Sequence, residues 1–172
     1  MNAAVTRVLP QLLADWHVLH LAGDGGMADA AAARQALPEE LRPRYTAEPF
    51  LTDRMADALV AADLVIGRAG SSTCAELAAA GAASVLVPYP FAGAHQRYNA
   101  RYLAEQGAAV EVPDAELTAE RLLAETSGLL DDDRRHAMGE AARHLALPHA
   151  ARVLADELVA LAERGPLPLE AG

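Results

Sequence analysis

The sequence predicts an α/β fold, a doubly wound parallel sheet followed by a helical C-terminal tail, and three observations predict it. Five short apolar runs recur along the chain, each closed by a Gly- or Pro-marked loop. Helical patterns fill the intervals between them. The runs are nearly continuously apolar rather than alternating, as strands covered on both faces are. The sheet is therefore expected to be parallel, with ligands beyond the carboxyl ends of its strands.

In chain order, residues 5–14 carry a helical pattern and residues 17–22 the first strand, which ends on Gly23-Asp24-Gly25-Gly26. That glycine cluster has neither the dinucleotide-binding nor the Walker spacing and reads as a flexible turn. Residues 27–36 are helical and 45–49 form the second strand. A helix at 53–61 follows, with Thr52 or Asp53 as its natural N-cap. Residues 63–67, 84–88 and 108–112 are the remaining strands, with helices at 73–80 and 96–106 between them. Beyond Val112 the pattern is helical throughout, at 118–130, 132–145 and 150–163. Residues 1–164 are thus one domain and 165–172 a Pro-containing tail. A doubly wound half normally opens on a central strand with a Gly-rich loop, whereas this chain opens on a helix. The expectation is a sheet that lacks its first strand.

Composition narrows the function. With 172 residues, 52% of them apolar, the chain can bury one core. Its formal net charge of −10 disfavours a nucleic-acid partner and an anionic membrane surface. All 14 basic residues are Arg, a bias from which no function follows. The single cysteine, Cys74, excludes an internal disulfide and any multi-cysteine metal site, which suits a reducing cytoplasm. The apolar stretches are too interrupted for a membrane span, and a soluble cytoplasmic protein is expected. His17, His20, His136, His144 and His149 show no metal-ligand grouping and read as structural or surface residues. There is no Gly-x-Ser-x-Gly elbow for a serine hydrolase.

Three segments carry chemistry. Gly67-Arg68-Ala69-Gly70-Ser71-Ser72-Thr73-Cys74-Ala75-Glu76 passes from strand end through a glycine turn into a helix. Unpaired amides and the positive dipole end favour a phosphate there, and Gly70, Ser71 and Ser72 are small enough to let it approach. Glu76 is placed to accept two vicinal ribose hydroxyls. Equally, Thr73 to Glu76 fits a capping box in which Glu76 serves only the helix. In the second segment, from Val87 to Asn99, His95 and Asn99 share a helical face and Gln96 adjoins them. Three neutral hydrogen-bonding side chains suit sugar hydroxyls, although they can equally decorate a surface helix. In the third, Phe50-Leu51-Thr52-Asp53-Arg54-Met55, Leu51 offers its backbone to a flat base and Met55 an adaptable apolar contact, or both belong to the core.

Taken together these residues resemble a known family. The succession Pro49-Phe50-Leu51, Met55, Ala62-Asp63-Leu64-Val65, Arg68-Ala69-Gly70, Thr73, Glu76-Leu77-Ala78-Ala79-Ala80-Gly81, Val87-Pro88-Tyr89-Pro90, His95-Gln96 and Asn99-Ala100 is similar to the C-terminal domain of the MurG family. That family is glycosyltransferase family 28 of the GT-B superfamily, with a Rossmann-like donor domain. The resemblance extends loosely over nearly the whole chain. It implies binding of UDP-N-acetylglucosamine, with Leu51 reading uracil, Glu76 holding the ribose, and Gly70, Ser71, Ser72 and Thr73 facing the diphosphate and sugar. His95 and Gln96 would meet the sugar, supported or joined by Asn99. This chain has His95-Gln96 where many relatives carry two glutamines. Arg68 would steady the loop or touch a phosphate.

The family's Gly-Gly-Ser-x-Gly-Ala phosphate loop and its acceptor-binding half have no counterpart in these residues. The implied enzyme is an inverting, metal-independent hexosyltransferase that converts lipid I to lipid II in peptidoglycan synthesis. No catalytic residue, metal or cofactor is assigned to this chain, and it is expected to be inactive alone. Its expected partners are the donor, lipid I through an N-terminal half, and a complementary N-terminal domain or subunit. Completed in this way it would sit peripherally at the inner face of the plasma membrane. The alternatives are a non-catalytic nucleotide-sugar-binding module, a subunit of a split glycosyltransferase, another GT-B glycolipid transferase, or, less well supported, a UDP-N-acetylglucosamine 2-epimerase.

Overall fold

Five strands form where the apolar runs lie: β1 (Val18–Leu21), β2 (Tyr45–Glu48), β3 (Val65–Gly67), β4 (Ser84–Leu86) and β5 (Ala109–Glu111). The computed structural model describes residues 1–91 and 95–163. Residues 92–94 and the tail expected at 165–172 lie outside the described residues.

Every strand pair is parallel, in register Val18 with Tyr45, Val65 with Ser84 and Ser84 with Ala109. The expected single sheet is divided, however, into β1-β2 and β3-β4-β5. Among the described residues no ladder joins β1 to β3.

The helices α1 (Asn2–Arg7), α2 (Leu9–Asp15), α3 (Met27–Ala36), α4 (Met55–Ala61), α5 (Ser71–Ala80) and α6 (His95–Glu105) alternate with the strands. The helical tail comprises α7 (Ala119–Ser127), α8 (Asp132–His144) and α9 (Ala150–Glu163). The helix expected at 5–14 is two helices, broken at Val8, because Pro10 lies in the first turn of α2. Proline has no N–H to continue the ladder but suits a helix start.

Alternation along β4 explains the continuously apolar strands. Leu86 packs with Leu77, Ala100, Leu103 and Ala142, whereas Val85 and Val87 pack with Val112, Leu129 and Met138. A buried strand must be apolar on both sides, so its sequence shows no two-residue period. A separate core of Leu9, Leu13, Ala30, Leu37 and Tyr45 covers one face of β1 and β2.

Helix ends position the loops. α5 stops at Gly81, whose φ of +67° places it in the left-handed region. Ala82 N–H donates to Leu77 O at 3.0 Å and Gly81 N–H to Ala78 O at 3.1 Å, the paired bonds of a Schellman stop. Thr118 Oγ1 caps α7 by accepting from Arg121 N–H at 3.0 Å, and Asp131 caps α8. Neither Thr52 nor Asp53 caps α4, which starts at Met55 with Arg54 at its N-cap. α9 leaves Val153, Leu154 and Leu158 exposed. No helix among the described residues is long and apolar enough to cross a membrane.

Candidate functional site

The loops that follow β2, β3 and β4 all leave the carboxyl ends of parallel strands, and they carry the residues singled out from the sequence. At the β3 loop, α5 begins at Ser71, two residues earlier than its pattern suggested, with Gly70 as N-cap. Gly70 has no side chain to cap with, so the first-turn amides of Ser71, Ser72 and Thr73 are left without a helical partner. Ser71 and Ser72 are exposed and Thr73 is half-buried. A Cβ on Gly70 would meet nothing nearer than Thr73 Oγ1 at 3.7 Å, and one on Gly67 would meet nothing within 4 Å. The space before this turn is open, and the chain's own packing does not demand glycine there.

The earlier start also removes the capping-box reading of Thr73 to Glu76. Thr73 is the third residue inside the helix and cannot be the N-cap of a capping box. Glu76 stands exposed one turn beyond Ser72, with no capping duty.

Arg68 is a crosslink. Its Nη1 donates to Val87 O at 3.1 Å and pairs with Asp114, and its guanidinium lies 5.3 Å from the Tyr89 ring centre. It therefore ties the ends of β3, β4 and β5 together. Asn99 Nδ2 donates to Ala69 O at 3.0 Å and to Ser71 Oγ at 3.4 Å, joining the first turns of α6 and α5. Gln96 Oε1 accepts from Tyr89 N–H at 2.9 Å, fixing the loop after β4. His95 is the exposed first residue of α6.

Leu51 and Met55 are half-buried on the β2 loop and the start of α4. The structure thus brings Asn99 into direct contact with Ala69 and Ser71, the neighbours of Gly70 in the chain. Among the described residues no hydrogen bond links Leu51 or Met55 to them. Asp114 was missed by sequence reasoning, as were Arg97 and Arg101, which line a cleft of about 580 Å³ with Tyr89 and Glu111. The available signal was position: Asp114 follows the last strand at the same sheet edge. A second cleft of about 470 Å³, between α4, the end of α5 and α8, includes Gly81 and Ala83. These precede β4, so that cleft lies at the amino end of the strand, away from the loops above.

Away from these loops His20 and Cys74 are buried. Burial, and secondarily the N-terminal ammonium, pushes the pKa of His20 below the ordinary 6.5. Its Nδ1 meets Tyr45 Oη at 2.8 Å and its Nε2 meets Asn2 Oδ1 at 3.3 Å. Burial raises the pKa of Cys74 and keeps it a thiol. Among the described residues no three His, Cys, Asp or Glu side chains are grouped to hold a metal.

Known proteins are similar to this chain in sequence and fold. The profile of the glycosyltransferase family 28 C-terminal domain matches residues 1–156. A relative from Roseiflexus sp. (strain RS-1) is 41% identical over 90% of this chain and 39% of its own length. One from Solidesulfovibrio magneticus is 42% identical over 94% of this chain and 46% of its own length. Both are named UDP-N-acetylglucosamine--N-acetylmuramyl-(pentapeptide) pyrophosphoryl-undecaprenol N-acetylglucosamine transferase. The chain thus spans under half the length of these relatives. The crystal structure of Acinetobacter baumannii MurG superposes with a TM-score of 0.81 at 34% identity, over 92% of this chain and 45% of that one. With its parallel strands, its glycine turn into α5 and a family match over nearly its whole length, this chain belongs to glycosyltransferase family 28 and corresponds to that family's C-terminal domain.

Proposed function

We propose that the chain is the UDP-N-acetylglucosamine-binding half of an inverting, metal-independent transferase that adds N-acetylglucosamine to lipid I to make lipid II. The observation that carries this reading is the uncapped start of α5. Outward-facing amides at Ser71, Ser72 and Thr73 and the carboxylate of Glu76 one turn later are spaced for a diphosphate and its ribose. The names of the relatives supply the donor and acceptor. Leu51 takes the uracil edge through its backbone, with Met55 against the ring.

Gln96, whose Oε1 is engaged by Tyr89, offers its amide nitrogen to a sugar hydroxyl, as His95 offers its ring. Asn99 and Arg68 act as positioning residues, because their donors are held by protein oxygens. The departing UDP is stabilised by the α5 dipole and amides as the acceptor hydroxyl attacks the anomeric carbon. The base that takes the hydroxyl proton, and the acceptor site, belong to an N-terminal half, which also brings the donor site to the inner face of the membrane.

Titration of the labelled chain with UDP and with UDP-N-acetylglucosamine tests the site. Amide shifts are expected at Leu51, at Gly70, Ser71, Ser72 and Thr73, and at Gln96. The sugar nucleotide should add shifts around His95 that UDP does not cause. Saturating UDP that moved none of these amides would sink the reading.

A further inference from the structure

The cleft of about 580 Å³ between α6 and the end of β5 has no part in the donor site described above, yet it shares a wall with it. Tyr89 is that wall. Its N–H holds Gln96 Oε1 at 2.9 Å, where the donor sugar is proposed to sit, and the same residue lines the cleft. Arg97 and Arg101 follow Gln96 along α6, one turn apart and so on one face, and both line the cleft as well. The end of β5 and the turn after it contribute Glu111, Asp114 and Glu116.

These charges do not cancel. Asp114 is paired with Arg68 and Glu116 with Arg121 at 3.1 Å, cations that lie outside the cleft lining. Glu111 reaches Arg101 only at 3.9 Å, and the arginine side chain stays half exposed. Arg97 is exposed and makes no ion pair among the described residues. Two guanidinium groups with donors to spare therefore line one cleft of a chain whose formal net charge is −10. Their planar forks match a carboxylate.

We infer that this cleft is a subsite for the peptide of the acceptor, with Arg97 and Arg101 holding a peptide carboxylate, an inference that rests on the transferase reading above. The acceptor in the relatives' names is an N-acetylmuramyl-(pentapeptide) joined through a diphosphate to undecaprenol. In a muramyl sugar the peptide hangs from an ether beside a free ring hydroxyl, while the diphosphate leaves from the anomeric carbon across the ring. A hydroxyl brought up to the donor sugar at Gln96 thus carries the peptide, rather than the diphosphate, toward Arg97. The step from Arg97 to Arg101 is one helical turn, about 5–6 Å, which two extended residues at about 3.4 Å each cover.

The test titrates the labelled chain with soluble N-acetylmuramyl-pentapeptide, with the same compound amidated at its carboxyl groups, and with inorganic pyrophosphate, each up to millimolar concentration and in the presence of UDP. The peptide is expected to shift the side-chain resonances of Arg97 and Arg101 and the amides of Tyr89 and Glu111. Amidation and Arg97→Gln should each weaken binding about tenfold, the scale of one charge-assisted hydrogen bond, while the Tm of the variant stays at the parent's value. Shifts caused by pyrophosphate and not by the peptide would make the cleft a diphosphate site and overturn the inference. So would an amidated peptide that binds as well as the free acid, or no shift with the peptide at all. UDP binding is followed in the same samples through Ser71 and Ser72. A chain that binds UDP but not the peptide loses the subsite alone, whereas one that binds the peptide but not UDP keeps the subsite and loses the donor reading.

Discussion

Glu76 projects from the second turn of α5 into solvent, on the same side of the sheet as the amides of Ser71 and Ser72. Because it has no cap to make, replacing its carboxylate should alter binding and leave the helix intact. Glu76→Gln is expected to weaken UDP binding by about 1–3 kcal/mol, the scale of a charge-assisted hydrogen bond to a neutral donor. Calorimetry paired with circular dichroism reads both quantities, and undiminished affinity would remove Glu76 from the site. His20 makes a prediction of a different kind. Its pKa is lowered in the folded chain, chiefly by burial, so the unfolded chain takes up the proton first as pH falls. The neutral ring's contribution is complete above the ordinary value of 6.5 and is lost as pH falls from there through the folded-state pKa. Denaturant unfolding at a series of pH values should show this loss in the parent and a flatter dependence in His20→Gln. The other histidines cancel in the difference, and parallel curves would contradict the assignment.

At the scale of elements, the contact between α5 and α8 has the least room. A Cβ at Gly139 of α8 would stand 2.5 Å from the carbonyl oxygen of Gly81, a backbone atom that cannot swing aside. Gly139→Ala should therefore separate the two helices and cost about 1–3 kcal/mol in denaturant unfolding, the range for overpacked cores. Gly25→Ala, where a Cβ meets nothing within 4 Å, should change stability little. Equal losses at the two glycines would show that backbone freedom, not the close approach, is what glycine provides at Gly139. Elements were the most legible level of the sequence, because the Gly- and Pro-closed apolar runs mark strand positions locally. Their ends were less so. Thr73 and Thr52 looked like caps because threonine suits that place, but Gly70 and Arg54 occupy it. α5 starts two residues early while Cys74 and Leu77 pack in the core, burial that a capping preference of about 1 kcal/mol does not override.

For the whole molecule, the carboxyl-end loops form an open rim, and in-line transfer needs donor and acceptor held on both sides of a cleft. These 172 residues are expected to bind UDP yet to transfer no labelled N-acetylglucosamine to lipid I. Supplying a family N-terminal half should restore turnover. Turnover by the chain alone at the rate of a full-length relative would refute the division of labour and require a base among these residues.

The sequence by itself determined the α/β class, the order of strands and helices and the parallel direction of the strands, all of which follow from local apolar runs and the loops between them. It also marked the glycine turn before α5 and the polar start of α6, since helix starts and loop chemistry depend on neighbours in the chain. Tertiary structure alone decided that Arg68 is spent on Val87 and Asp114, that Asn99 holds Ala69 and Ser71, and that Glu76 is relieved of capping. Those partners lie 19 to 46 residues away along the chain, and only the stacking of successive strand ends brings them within hydrogen-bonding distance. The split between β1-β2 and β3-β4-β5 belongs to the same level, because whether two strand edges meet depends on what occupies the space between them.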